Sequence, residues 1–196
     1  MKAVLISIQP YWVFLIIARI MGWNVPHEKT VEVRKNFPHD SAWSRKTLIY
    51  CSKDMRSFKR IPEQYQPFMR RLMGKVIGEF MCDRFYDLKY VPLKYYGKPA
   101  GTYEEKICEM SCLSVDAIKA YLNGKHGFGW HISDLKIYDK PKELGEFRKK
   151  VKESDKRCLG DDVEGYWRAH GYDDREDTHC LIPLISPPQS WFYVEA

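Results

Sequence analysis

The hydrophobic positions change period several times along the chain, and each change predicts an element. Ala3 to Ile8 is a short apolar run rich in β-branched residues, which reads as a buried strand. Gln9-Pro10 breaks it, and Pro10 suits the first turn of a helix, where its missing N–H would have no partner anyway. Tyr11 to Met21 then reads as that helix, with Trp12, Leu15, Ile16, Arg19 and Ile20 at helical spacing. It is apolar nearly all round, so it must be covered on most sides; Gly22 to Pro26 ends it. From Thr30 to Lys35 the pattern alternates. Val31 and Val33 point one way, while Thr30, Glu32 and Arg34 point the other, with Lys29 leading in. A hydroxyl, a carboxylate and a guanidinium in one row are costly to bury unless each has a partner. The row therefore suits the wall of a polar cleft. The plainer reading is the solvated face of an ordinary strand, where such ion pairs contribute under about 1 kcal/mol each.

Downstream, Thr47 to Cys51 and Lys75 to Cys82 read as strands, and Gly78 marks a bulge or a close backbone approach. Ser52 to Leu72 is basic and irregular, broken by Pro62 and Pro67, with a helix from Pro67 onward. Leu88 to Tyr103 is a Tyr- and Pro-rich loop. Ser114 to Leu122 is a helix: Ser114 caps it, Ala117, Ile118 and Tyr121 mark one side, and Gly124 stops it. Gly127 to Trp130 reads as a tight aromatic turn feeding a strand from His131 to Tyr138, and Gln189 to Val194 is a final strand. Strands dominate, so the fold class is α+β with a small closed or nearly closed β-barrel and helices packed on it. Residues 1–196 form a single domain with a long insertion in the C-terminal half, at about 141–181.

Composition sharpens this picture at three points. With 44% hydrophobic and 14% aromatic residues, the 196-residue chain can build a core. The net charge of +6 is modest, but it is unevenly placed. From Ala42 to Lys75 nine Lys or Arg face only Asp54 and Glu63, a stretch able to track single-stranded nucleic acid. From Asp161 to Asp177 seven acids face Arg168 and Arg175. No apolar run approaches the roughly 20 residues a membrane span needs, and no secretory signal is visible, so a cytoplasmic setting with free thiols is expected. Among the six cysteines, Cys108 and Cys112 have a spacing that zinc sites use, and Cys158, His179 and Cys180 would complete a ligand set. No Cys-x2-Cys pair supports it, so neither metal nor cofactor is expected.

Five blocks in order carry a family resemblance: Ser7-Ile8-Gln9-Pro10 with Trp12; Lys29-Thr30-Val31-Glu32-Val33-Arg34; Ile77-Gly78-Glu79-Phe80; Gly129-Trp130-His131-Ile132; and Pro188-Gln189-Ser190-Trp191. Together they resemble the ASCH domain family, a branch of the PUA-like β-barrels, and especially its bacterial and phage versions. The family's glycine two residues before the lysine is replaced here by His27, and the Tyr11–Glu28 segment is longer than usual. The resemblance implies binding of RNA or a modified nucleotide in a cleft lined by Gln9, Trp12, Lys29, Thr30, Glu32, Arg34, Trp130, Gln189, Ser190 and Trp191. In that cleft Trp12, Trp130 and Trp191 would stack on bases, Gln9 and Gln189 would read a base edge, and Lys29 and Arg34 would hold phosphate. Some small proteins of this kind are amidohydrolases of N4-acylated cytidine that read Lys-Thr-x-Thr-x-Arg. Lys29, Thr30 and Arg34 match that motif, but its second threonine falls at Glu32, so Lys29 and Glu32 would be the catalytic pair only if the protein is a hydrolase. A third alternative is a protein-interaction module using the 141–181 region.

Overall fold

A computed structural model of the chain describes residues 2–38, 45–88, 103–152 and 179–195. Strand β1 (Lys2–Ile8) is buried on both faces. Val4, Ile6 and Ile8 meet the first helix, while Ala3 and Leu5 pack on the opposite side with Leu48, Val76, Phe147 and Val194. Such double burial explains why the run is apolar without alternation. Each of the larger side chains here, Ala3 apart, contributes about 1.5–3 kcal/mol on leaving water. Strand β1 runs parallel to β3 (Arg45–Cys51) and antiparallel to the last strand, β10 (Trp191–Glu195). Helix α1 (Pro10–Met21) lies between them in sequence and is buried from Val13 to Ala18. Gly22 ends it in the left-handed region at φ 62° and donates to the carbonyls of Ala18 and Arg19, a conformation glycine adopts without strain.

Among the described residues the larger sheet has seven strands. From one edge they are β7 (Ser133–Lys142), β4 (Val76–Cys82), β3, β1, β10, β8 (Arg148–Lys152) and β9 (His179–Pro183). A second sheet holds β2 (Val31–Arg34), β6 (Phe128–His131) and β5 (Phe85–Asp87), with β6 in the middle. The two are joined where chains turn a corner. β4 runs on into β5 and β6 into β7, and at that corner the His131 amide donates to Arg84 O and the Ile132 amide to Thr30 O. Gly78 shows both features expected of it. The β4–β7 register slips beside it, and a Cβ there would collide with the Lys136 carbonyl.

Several expectations are corrected. Among the described residues the strands form two open sheets and no closed barrel. Phe128–His131 is a strand and not a tight aromatic turn. Gly127 and Gly129 mislead here because they serve close packing, and a Cβ on Gly129 would press on Val31 and Tyr86. The irregular basic stretch holds a short helix, α2 (Met55–Phe58), capped by Asp54, a 3-10 turn at Glu63–Tyr65 and then α3 (Gln66–Leu72). Strand β5 and helix α4 (Tyr103–Ser111) are new, while helix α5 (Val115–Leu122) starts at its Ser114 cap as expected. The two ends of the expected 141–181 insertion are strand residues of β7, β8 and β9 in the larger sheet. Residues 153–178 lie outside the described residues, and so do most of the expected 88–103 loop and Cys158. Among the described residues no group of three metal-ligating side chains occurs. Cys51 and Cys82 are buried free thiols, and burial pushes both up to about 12, so they stay protonated. No described helix is long and apolar enough to cross a membrane.

Candidate functional site

The site forms where the end of β1 meets the start of α1 and faces the small sheet. A break in the chain at Gln9-Pro10 leaves Ser7 and Ile8 at the strand's end and puts Trp12 in the helix's first turn. The Tyr11 amide, which no helical carbonyl can reach, donates to Ser57 Oγ at 3.0 Å. Opposite stands β2, pinned by the Lys29 amide to Leu15 O and by the Thr30 amide to Met110 O.

Between them lies a cavity of about 360 Å³ lined by Ser7, Gln9, Trp12, Lys29, Glu32, Val33, Arg34, Ser52, Leu113, Ala117, Tyr121 and Gln189. That volume falls within the ~300–1,000 Å³ of small-molecule sites. Its floor is a chain of three charges. Glu32 Oε2 lies 3.3 Å from Lys29 Nζ, and Glu32 Oε1 lies 3.0 Å from an Arg34 terminal nitrogen. The side chains are only 2%, 9% and 6% exposed for Lys29, Glu32 and Arg34. Burial on that scale demands partners, and they are present. Lys29 donates to Ser111 O at 2.8 Å, and Arg34 donates to Ser7 O at 2.6 Å and Ser190 O at 3.3 Å. Among the described residues Arg34 Nε and Ser52 Oγ have no partner, and both residues line the cavity. Burial lowers the Lys29 pKa below the ordinary lysine value, against the pull of Glu32 in the other direction.

The walls are aromatic and amide. The Lys29 ammonium lies 5.2 Å from the Trp12 ring centroid, and Tyr121 on α5 is 41% exposed. Gln9 and Gln189 are exposed, and no partner for either amide occurs among the described residues.

Of the residues expected at the site, the structure brings Gln9, Trp12, Lys29, Glu32, Arg34 and Gln189 to one cavity. Thr30 is half-buried and not in its lining. Ser190 contributes its carbonyl to Arg34. The indoles of Trp130 and Trp191 are corrected: neither lines the cavity. Trp130 pairs across from Glu32 in register yet is 0% exposed, because Phe85 and Trp191 pack on it at 5.5 and 6.3 Å. Trp191 is half-buried against the same core. Tyr121 was missed as a lining residue. The signal was its i,i+4 spacing from Ala117 on α5: those two face the cavity, while Ile118 and Leu122 turn to the core.

No protein-family model and no curated protein sequence matches the chain. Among solved structures it is similar to ZmASCH from Zymomonas mobilis. With a tyrosine-to-phenylalanine variant of that protein it shares 16% identity and a TM-score of 0.50, over 100% of this chain and 91% of that one. With a serine-to-alanine variant the identity and TM-score are again 16% and 0.50, over 98% and 88%. The chain therefore has the ASCH fold, mixed α+β and rich in sheet.

Proposed function

We propose that the protein binds RNA or a modified nucleotide by taking one base into this cleft. One observation carries the reading: a hollow of nucleoside size combines a buried ionic floor, two aromatic walls and two exposed amides that no described residue engages. Stacking on Trp12 or Tyr121 would contribute about 1–3 kcal/mol per base. Gln9 and Gln189 each offer a donor and an acceptor for a base edge. The Lys29–Glu32–Arg34 chain keeps one positive charge in excess, but both cations are already engaged by Glu32 and by backbone carbonyls, so it positions the cleft more than it grips phosphate. Phosphates of a longer strand would meet Lys53, Arg56, Lys59, Arg70 and Arg71, all exposed on or beside α2 and α3. A reducing cytoplasmic setting, in a bacterial or phage context, belongs to the same reading.

The test is a thermal-shift screen of modified nucleosides followed by titration of the best binder. Tyr121→Ala and Gln189→Ala change exposed positions and should fold. Tyr121→Ala should weaken binding at least about fivefold, the effect of losing ~1 kcal/mol of stacking. Oligonucleotide affinity should fall steeply as salt rises. Absence of any nucleoside-induced shift, together with salt-independent or absent RNA retention, would sink the proposal.

Amide hydrolysis on such a nucleoside is a second reading, favoured by the depressed Lys29 ammonium 3.3 Å from the Glu32 carboxylate. A lysine in that state can serve as a base. Acetate release from N4-acetylcytidine, lost in a folded Lys29→Arg variant, would establish it; no release from the intact protein would leave binding alone.

A further inference from the structure

A second cavity of about 360 Å³ adjoins the cleft. Trp12 and Leu113 line both hollows and so form the partition between them. The far side is built from Tyr11, His27, Arg60 and Glu109. The Arg60 guanidinium lies 3.9 Å from the Tyr11 ring centroid and 5.1 Å from that of Trp12. The two rings meet edge to face at 5.1 Å. Arg60 is exposed, and among the described residues no carboxylate pairs with it. An arginine held over an aromatic ring by cation–π attraction keeps N–H donors free for an anion.

We infer that the second cavity takes the neighbouring nucleotide of a single strand whose first base fills the cleft, which presupposes that the cleft binds a nucleotide. Trp12 then stands between the two bases, and Arg60 holds the phosphate that joins them. An aromatic partition beside a cation is the arrangement that lets a strand pass from one hollow to the next, because every base has a face to stack and every linkage carries one negative charge. The onward path is also cationic: Arg56 and Lys59, which precede Arg60 in the chain, are exposed. Glu109 on α4 is a carboxylate in this lining and would repel phosphate. It belongs with the second base, where it accepts from an exocyclic amine. Adenine and cytosine offer that amine and uracil does not.

Calorimetric titration compares the mononucleotide that lacks the joining phosphate, its own phosphate being on the opposite end of the sugar, with dinucleotides that extend it by adenosine, cytidine or uridine, for the unaltered protein and for Arg60→Ala and Glu109→Gln. The unaltered protein should bind the dinucleotides at least about fivefold tighter than the mononucleotide, with the adenosine and cytidine forms ahead of the uridine form. Arg60→Ala should remove the dinucleotide gain and leave mononucleotide affinity unchanged. Glu109→Gln should erase the order among the second bases. If the mononucleotide binds but the dinucleotides bind no tighter, or if Arg60→Ala weakens both equally, the second subsite is wrong while the cleft reading stands. If no nucleotide binds at all, both fall together.

Discussion

Two Lys–Glu pairs in this molecule have nearly the same geometry and opposite settings. Lys29 and Glu32 lie 3.3 Å apart with side chains 2% and 9% exposed; Lys46 and Glu79 lie 3.0 Å apart with side chains 32% and 19% exposed. Each carboxylate has a further partner, Arg34 in the first case and the Tyr138 hydroxyl in the second. Each pair also borders a cavity, the cleft and a hollow of about 300 Å³ lined by Lys46, Glu79, Tyr138 and Lys142. Distance alone would rank the pairs as equals. Water ranks them differently. Near the surface the solvent can replace a lost partner, so the pair is worth little. In the cleft floor nothing replaces it, so each charge depends on the others. The surface pair decorates its sheet, whereas the buried one holds its cleft in a single arrangement.

The largest contrast should come from the two carboxylates. Glu32→Gln leaves Lys29 and Arg34 buried beside each other without their shared counter-charge, and should cost about 3–5 kcal/mol. That is a large part of the ~5–15 kcal/mol that holds a domain together. Glu79→Gln should cost under about 1 kcal/mol. Urea unfolding midpoints of the two variants measure the difference. Equal losses would mean that the cleft floor is as well solvated as the sheet surface.

The spacing of Glu32 and Arg34 is readable in the chain because a strand repeats every two residues, and so is the apolar run of β1; Lys29, three residues before Glu32, lies ahead of the strand and outside that period. What covers the row is not readable. The groups that pair with Lys29 and Arg34 are carbonyls of Ser111, Ser7 and Ser190, between 27 and 156 residues away. A carbonyl leaves no trace in residue type. The expected open, wet row is therefore a closed floor whose charges are held by one another and by those carbonyls. The indoles failed for a related reason. Trp12, Trp130 and Trp191 look alike in sequence, but only Trp12 lies at a helix start that borders the cavity, and Trp130 is roofed by residues of β5 and β10. The strand β6 was hidden because its glycines read as turn signals, while their use is to let Val31 and Leu122 approach. Where local period decides, the chain speaks plainly; where distant backbone decides, it does not.

A second, smaller contrast appears with pH. Burial lowers the Lys29 pKa in the folded state, while the unfolded lysine titrates near ~10.4. Between those values the unfolded chain holds more protons than the native one, so stability from this group rises with pH across that window. The burial cost is thus largest below the depressed pKa and is relieved on the alkaline side. Lys29→Met removes the group, and the variant should lose that alkaline rise. The comparison is chemical denaturation from pH 7 to pH 10, and parallel curves for the two proteins would show that Lys29 titrates normally.

The smallest effect belongs to the surface pair, and it lies at the acid end. Burial alone would raise Glu79, but hydrogen bonds from Lys46 and Tyr138 together hold its pKa below the ordinary carboxylate value. Burial first, and then the Glu79 charge, push the Tyr138 phenol up, so it remains a donor throughout. A carboxylate with a depressed folded pKa adds stability above its unfolded value of ~4.3 and loses it as pH falls through the folded pKa. Tyr138→Phe deletes one donor, worth about 0.5–1.5 kcal/mol at neutral pH. The gap between variant and parent should narrow as Glu79 is protonated. Unfolding at pH 7 and near pH 3 measures it. A gap that stays constant would assign the loss to packing of the ring and not to the hydrogen bond, and the surface pair would then owe its arrangement to the β3–β4 pairing that carries Lys46 and Glu79.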